Sequence, residues 1–216
     1  MKNRKLRIVF AYFISILPIN KVRCFLYRLI FKYEIYQSNI GWKTIIAVDS
    51  AKLIECHIGN KNKFIGPMNI LINKNAKIGS ENIFECGLFT IEKQLNNNIK
   101  YERQLIIEHN ARIAKSHYID IAGSFILKKN SWIAGRGSQF WTHGAGVLDR
   151  NILIEENCYI GSAVRFIPGS SVGKNNLIGM GSVITKKFNS ENVMIAGQPA
   201  KILKENYDWR TRKIIT

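Results

Sequence analysis

Four histidines carry whatever proton chemistry this chain can perform near neutral pH, and one of them sits in a segment unlike its surroundings. His143 lies in the run Gln139-Phe140-Trp141-Thr142-His143-Gly144-Ala145-Gly146, an imidazole between large aromatics and small residues. That combination suits a general base: the ring takes a proton, and a backbone freed by Gly144 and Gly146 approaches a ligand closely and offers amide donors. Asp120 and Asp149 are the carboxylates that can orient the ring, and the sequence does not choose between them. His117, in Ser116-His117-Tyr118-Ile119-Asp120, is the second candidate, 26 residues before His143 and close to one and a half coils of the repeat described next. The two can flank one cleft formed with a neighbouring subunit. His57 and His109 fall on ordinary repeat positions and read as structural or surface residues. No pair has tight metal-ligand spacing and no carboxylate cluster accompanies them, so no metal is expected.

The elements that must position these side chains are announced by a period of six. Ile154, Ile160, Phe166, Val172, Ile178 and Ile184 fall on one register, with Gly161, Gly173 and Gly179 following three of them. Neither an α-helix nor a flat strand repeats every six residues. A solenoid with three short flat faces per turn does, because each face sends one large apolar residue inward. The register appears earlier as Ile58, Phe64, Ile72, Ile78, Phe84 and as Ile107, Ile113, Ile119, Leu127, Ile133. Asn, Lys and Gly fill the corners, as positive φ requires. Roughly fifteen hexads predict about five coils.

Composition narrows the partners. With 32 Lys and Arg against 15 Asp and Glu, the formal charge of +17 favours polyanions, including phosphorylated cofactors, acidic glycans and anionic lipid. The basic residues are spread along the chain without a nucleic-acid motif, so nucleic acid is not expected as a partner. Cys24, Cys56, Cys86 and Cys158 have no metal or redox spacing and read as reduced packing residues in a cytoplasmic protein.

Residues 1–40 are a basic, apolar lead-in. Pro18 separates Ile8–Leu17 from a second amphipathic stretch, Lys21–Tyr33, and two short helices are expected. They can cap the open end of the solenoid, and residues 1–33 can anchor the chain at the inner face of an anionic membrane; the two readings are compatible. Residues 41–201 are the solenoid domain, with excursions at 90–104 and 139–151. Residues 202–216 are expected to form a helix and tail that close the base.

Three further stretches complete the picture: Ile152 to Gly173, Ile178-Gly179-Met180-Gly181-Ser182-Val183-Ile184-Thr185-Lys186, and Ala196-Gly197-Gln198-Pro199-Ala200-Lys201-Ile202. Together they resemble the hexapeptide-repeat acyltransferases, most closely the sugar O-acetyltransferases of capsule and lipopolysaccharide glycans. The resemblance covers about residues 50–204. It implies an all-β left-handed parallel β-helix, usually a homotrimer, using acetyl-CoA as co-substrate. It puts His143 in the place of the catalytic base, and His117 within one residue of an acceptor-contacting Asn. Ser162, Met180, Gly181, Ser182, Thr185 and Lys186 fall on the CoA-contacting run, with Lys201 and Lys204 near the phosphates. The expected reaction is O-acetylation of a sugar hydroxyl in a cell-surface polysaccharide or its precursor. Phe140 and Trp141 are candidates to stack on the sugar or the pantetheine arm, with Gln139 a further acceptor contact. N-acetylation of an amino sugar and a non-catalytic scaffold are the alternatives. The long acceptor loop of the galactoside-type branch is shortened here, so the acceptor does not carry over.

Overall fold

The computed structural model describes residues 4–92 and 100–211. Its body is a left-handed parallel β-helix, a triangular prism of stacked coils. One face stacks the strands Asn39–Ile40, His57–Ile58, Lys77–Ile78, Arg112–Ile113, Trp132–Ile133, Tyr159–Ile160, Leu177–Ile178 and Met194–Gly197. A second face stacks Ile83–Glu85, Tyr118–Asp120, Gln139–Phe140, Arg165–Phe166 and Val183–Ile184. The third stacks Gln104–Ile107, Ser124–Leu127, Ile152–Ile154, Ser171–Val172 and Lys187–Phe188. In the first two coils the second and third faces are joined by unbroken strands, Ile45–Ile54 and Lys63–Ile72.

The period of six is realised as expected. Every register residue from Ile58 to Ile184 is buried, and register residues stack on one another through successive coils. Phe64 lies on Phe84 with ring centroids 4.4 Å apart, and Phe140 on Phe166 at 5.0 Å. Burying each such side chain is worth about 1.5–3 kcal/mol. There are seven coils rather than five. The first lacks a clean hexad because Ile45–Ile54 turns its corner as one continuous strand, so Ile40, Ile46 and Leu53 escape the periodic count.

The corners follow backbone sterics. Asn75, Asn110, Asn130, Asn157, Asn175 and Asn192 all take φ between 55° and 60° along the edge between the third and first faces. Asparagine tolerates this left-handed conformation. Its side chain adds a ladder along the edge, Asn110 Nδ2 donating to Asn130 Oδ1 and Asn130 Nδ2 to Asn157 Oδ1, each at 3.1 Å. At the opposite edge a Cβ on Gly161 would stand 2.7 Å from the Met180 nitrogen, so that corner admits only glycine without moving the next coil.

Two helices precede the coils, α1 (Arg4–Ser15) and α2 (Asn20–Phe31). They pack on the first coil through Ala11, Ile14, Tyr27 and Phe31. The buried Arg23 guanidinium donates to the Ile40 carbonyl at 2.7 Å and to the Leu17 carbonyl, while the Tyr27 hydroxyl meets the Ala11 and Thr44 carbonyls.

The boundaries differ from the sequence reading at three segments. Ala200–Lys204 is a strand, not the start of a helix: it turns back after Gly197-Gln198-Pro199 and pairs antiparallel with Met194–Gly197. The exposed backbone edge of the first face offers ladder hydrogen bonds that outweigh the weak helical pattern of Ile202 and Leu203. Residues 205–211 form bends and turns, with Trp209 Nε1 donating to the Asn157 carbonyl at 2.9 Å. The second excursion begins after Phe140, because Gln139–Phe140 is a regular strand of the second face. The first begins after Glu85 and ends before Gln104, and the expected loop Gln94-Leu95-Asn96-Asn97-Asn98 lies outside the described residues.

Candidate active site

Both excursions leave the prism at one edge, between the second and third faces. They leave coils three and five, and coil four between them turns tightly through Ile121-Ala122-Gly123. The strand Tyr118–Asp120 therefore ends in a recess walled by the two excursions. Asp120 comes from the floor, Phe89 from one wall, and Trp141, Thr142 and His143 from the other.

The centre of the recess is a histidine–carboxylate contact. His143 Nδ1 stands 3.0 Å from Asp120 Oδ2, with the imidazole 39% exposed and the carboxylate 3%. This is an ion-pair distance at which the buried Nδ1 makes no regular hydrogen bond. A carboxylate this buried needs other partners. Thr142 supplies them: its backbone N–H donates to Asp120 Oδ2 at 2.9 Å and its hydroxyl lies against the same oxygen. The Thr142 hydroxyl also accepts from the Gly123 N–H at 2.9 Å, tying the root of the excursion to the tight turn of coil four.

Aromatic rings frame the imidazole. Phe89 lies 5.3 Å and Trp141 6.0 Å from it, centroid to centroid, and Trp141 lies 4.8 Å from Tyr118. Burial, aided by the charges of Glu85 and Asp120, pushes the Tyr118 phenol up to about 12. Glu85 is the register partner of Asp120 on the adjoining strand. The recess is thus apolar on its walls, acidic on its floor, and open at the imidazole. With Nδ1 turned to the carboxylate, Nε2 is the nitrogen left to handle a proton.

Asp149, the other candidate to orient His143, points elsewhere. Its Oδ2 pairs with Lys187 Nζ at 2.6 Å on the outside of the excursion. Phe140 is not a stacking platform: it is fully buried in the coil interior, against Phe125 and Phe166. Gln139 is half-buried on the second face, 3.4 Å from Arg165 Nε. Trp141 alone of the three reaches the recess.

His117 is only 2% exposed and stands at the far end of the Tyr118–Asp120 strand, on the edge between the first and second faces. There it is one rung of a polar ladder. Thr44 Oγ1 accepts from the Asn62 N–H, Asn62 Oδ1 from the Asn82 N–H, Asn82 Oδ1 from the His117 N–H, and His117 Nδ1 from the Ser138 N–H. Burial lowers its pKa to about 4. Within one chain it does not meet His143, so a base role there is set aside; its Nδ1 is occupied as a structural acceptor. His57 and His109 are exposed on ordinary coil positions.

The residues attributed to CoA divide between two edges and the end hairpin. Ser162, Met180, Gly181 and Ser182 lie on the ladder edge, where Met180 is 77% exposed. Thr185 and Lys186 are exposed on the His143 edge, and Lys201 and Lys204 on the end hairpin. Ser182 is unsuited to a ligand, being fully buried with its hydroxyl donating to the Gly179 carbonyl at 2.6 Å. Ser162 is half-buried, and its carbonyl accepts from the Gly181 N–H at 2.9 Å. Thr142, Phe89, Tyr118 and Glu85 escaped the sequence reading, although Thr142 adjoins His143 and Tyr118 lies two residues before Asp120.

A family model described as bacterial transferase hexapeptide, six repeats, matches residues 151–186, the stretch that forms the last regular coils. Residues 151–186 are thus hexapeptide repeats of the kind that model describes. The chain is 34% identical to a galactoside O-acetyltransferase of Lactococcus lactis over 134 residues, 62% of this chain and 58% of that protein. It is 28% identical to a galactoside O-acetyltransferase of Escherichia coli over 154 residues, 70% of this chain and 71% of that protein. The matched stretch thus spans little more than half of the Lactococcus relative. A solved hexapeptide-repeat acetyltransferase of Vibrio cholerae, complexed with acetyl coenzyme A, aligns with a TM-score of 0.49 at 17% identity, covering 95% of this chain and 87% of that one.

Proposed function

We propose that this hexapeptide-repeat protein transfers an acetyl group from acetyl-CoA to a sugar hydroxyl of a cell-surface polysaccharide or its precursor. The observation that carries the reading is the His143–Asp120 pair in an aromatic-walled recess, on a chain two of whose relatives are named galactoside O-acetyltransferases. In the reaction, His143 Nε2 takes the proton of the hydroxyl as its oxygen bonds to the thioester carbonyl carbon. The tetrahedral intermediate then expels the CoA thiolate, and the imidazolium returns the proton to that sulfur. Asp120 holds the ring and balances its transient positive charge, and Thr142 holds Asp120. Trp141 and Phe89 offer the apolar surface on which a sugar ring packs.

Acetyl-CoA fits the residues present. Lys186, Lys201 and Lys204 are exposed cations suited to its phosphates, and Met180 offers an exposed apolar contact for the pantetheine arm. Met180 and Gly181 stand on the edge opposite His143, with the second face between them. A donor held at Met180 reaches the base of an adjoining copy more readily than its own, which favours a trimer with sites between subunits. Four buried, unpaired cysteines suit a reducing, cytoplasmic compartment.

The test is release of free thiol from acetyl-CoA across a panel of hydroxyl and amino-sugar acceptors. Hydroxyl-dependent release supports the reading. Release only with amino sugars replaces it with N-acylation, and failure to bind acetyl-CoA replaces it with a scaffold role.

A further inference from the structure

Helices α1 and α2 are apolar on two sides. The inner side packs on the first coil, as described above. The outer side of α1 carries Leu6, Val9, Phe10 and Phe13 at spacings of three and four, all exposed, Phe13 at 58%. The outer side of α2 carries Val22, Phe25 and Leu29 in the same fashion, Phe25 at 55%. A helix needs one apolar stripe to dock on its own protein, so the second stripe calls for another apolar medium.

Charge identifies that medium. Residues 1–33 contain eight Lys and Arg and no Asp or Glu. On α2, Lys21 and Arg28 are exposed beside Phe25, and Lys32 follows at the C-terminal end. Apolar residues flanked by cations on one side of a helix suit an anionic interface. A second copy laid on the same surface would set these cations against their own kind. No helix among the described residues is long and apolar enough to cross a membrane, and twelve residues span about 18 Å, so the helices lie along a surface rather than through it.

We propose that the outer face of α1 and α2 seats on the surface of an anionic lipid bilayer. The inference stands apart from the acyl-transfer reading and needs no catalysis to be tested. It has a geometric consequence for the site. A groove bordered by Arg4, Ile8, Glu85 and Leu88 runs from α1 to the second face, where Glu85 is the register partner of Asp120. Seating therefore sets the bilayer at one end of a groove whose other end adjoins the recess.

The experiment is co-sedimentation of the full chain with vesicles of phosphatidylcholine alone or mixed with phosphatidylglycerol. Binding to the anionic vesicles, at least tenfold weaker on neutral ones and reduced by high salt, is expected. Lys21→Glu with Arg28→Glu and Lys32→Glu should weaken it about a hundredfold. Phe13→Ser with Phe25→Ser should weaken it at least tenfold, with an unchanged melting temperature. A wild-type chain that stays in the supernatant with both vesicles overturns the proposal, as does binding indifferent to both variants. An oligomer that dissociates in the Phe13→Ser, Phe25→Ser variant, with no vesicle binding by either protein, assigns the face to a second copy instead.

Discussion

Asp120 Oδ2 lies 3.0 Å from His143 Nδ1, although Asp120 belongs to coil four and His143 to the excursion that leaves coil five. The contact exists because consecutive coils stack in register, Ile119 on Phe140, so the ends of neighbouring strands meet at one edge. Thr142 closes the arrangement by bonding to Asp120 with both its backbone and its hydroxyl.

Asp120→Asn should lower kcat by about 10²–10⁴, with a smaller change in KM, because the ring loses its orienting charge and the wrong tautomer is favoured. Asp149→Asn should leave kcat within about twofold, since Asp149 pairs with Lys187 on the outer side. Steady-state kinetics on the two variants separates the carboxylates. Equal losses would contradict the assignment of Asp120.

His117 makes stability depend on pH. Its folded pKa of about 4 lies below the ordinary value of 6.5, so the unfolded chain binds the extra proton first. The contribution is fully present above about pH 6.5 and is lost as pH falls through 4, up to about 3 kcal/mol. The charged ring would also set an Nδ1–H donor against the Ser138 N–H. Urea unfolding at pH 7 and pH 4.5 should show a larger acid loss for wild type than for His117→Asn. Identical pH dependence in the two proteins would remove His117 from this role.

Phe140→Ala should destabilise the chain by about 3–5 kcal/mol, because the ring fills the coil interior between Phe125 and Phe166. The milder Phe140→Leu should fold and keep the acceptor KM unchanged. Trp141→Ala, by contrast, should raise the acceptor KM while costing little stability, as its ring is half-buried against Tyr118. Acceptor titrations of Phe140→Leu and Trp141→Ala decide this; a raised KM in Phe140→Leu would return Phe140 to the site.

Asn130→Ala removes a residue at φ 59° together with two rungs of the edge ladder. A loss of about 1–2 kcal/mol is expected, and Asn130→Gly should recover the backbone part of it. Thermal unfolding of the two variants gives the comparison, with equal losses arguing against a backbone origin.

These relationships differ in how far the sequence discloses them. The register from Ile154 to Ile184 was readable because each inward residue recurs at a fixed interval and touches only its copies above and below. The asparagine corners were readable for the same reason. The first coil was not, since Ile45–Ile54 rounds its corner without a hexad break. The strand character of Ile202–Lys204 is hidden from the sequence because antiparallel pairing with Met194–Gly197 is a property of the free sheet edge, not of local pattern. His143 stood out by its loop, but the choice of Asp120 over Asp149 rests on which coil each excursion leaves. His117 looked chemical and proved to be a rung, because Asn62, Asn82 and Ser138 align with it only once the coils are stacked.

The central claim is that His143 is the base of an acyl transfer. Its most direct test is acceptor-dependent thiol release from acetyl-CoA by wild type and by His143→Ala, with folding and acetyl-CoA binding checked in both. The account predicts a variant that folds and binds acetyl-CoA as wild type does, yet turns over about 10²–10⁴ times more slowly. A well-folded His143→Ala protein with near wild-type turnover would contradict it.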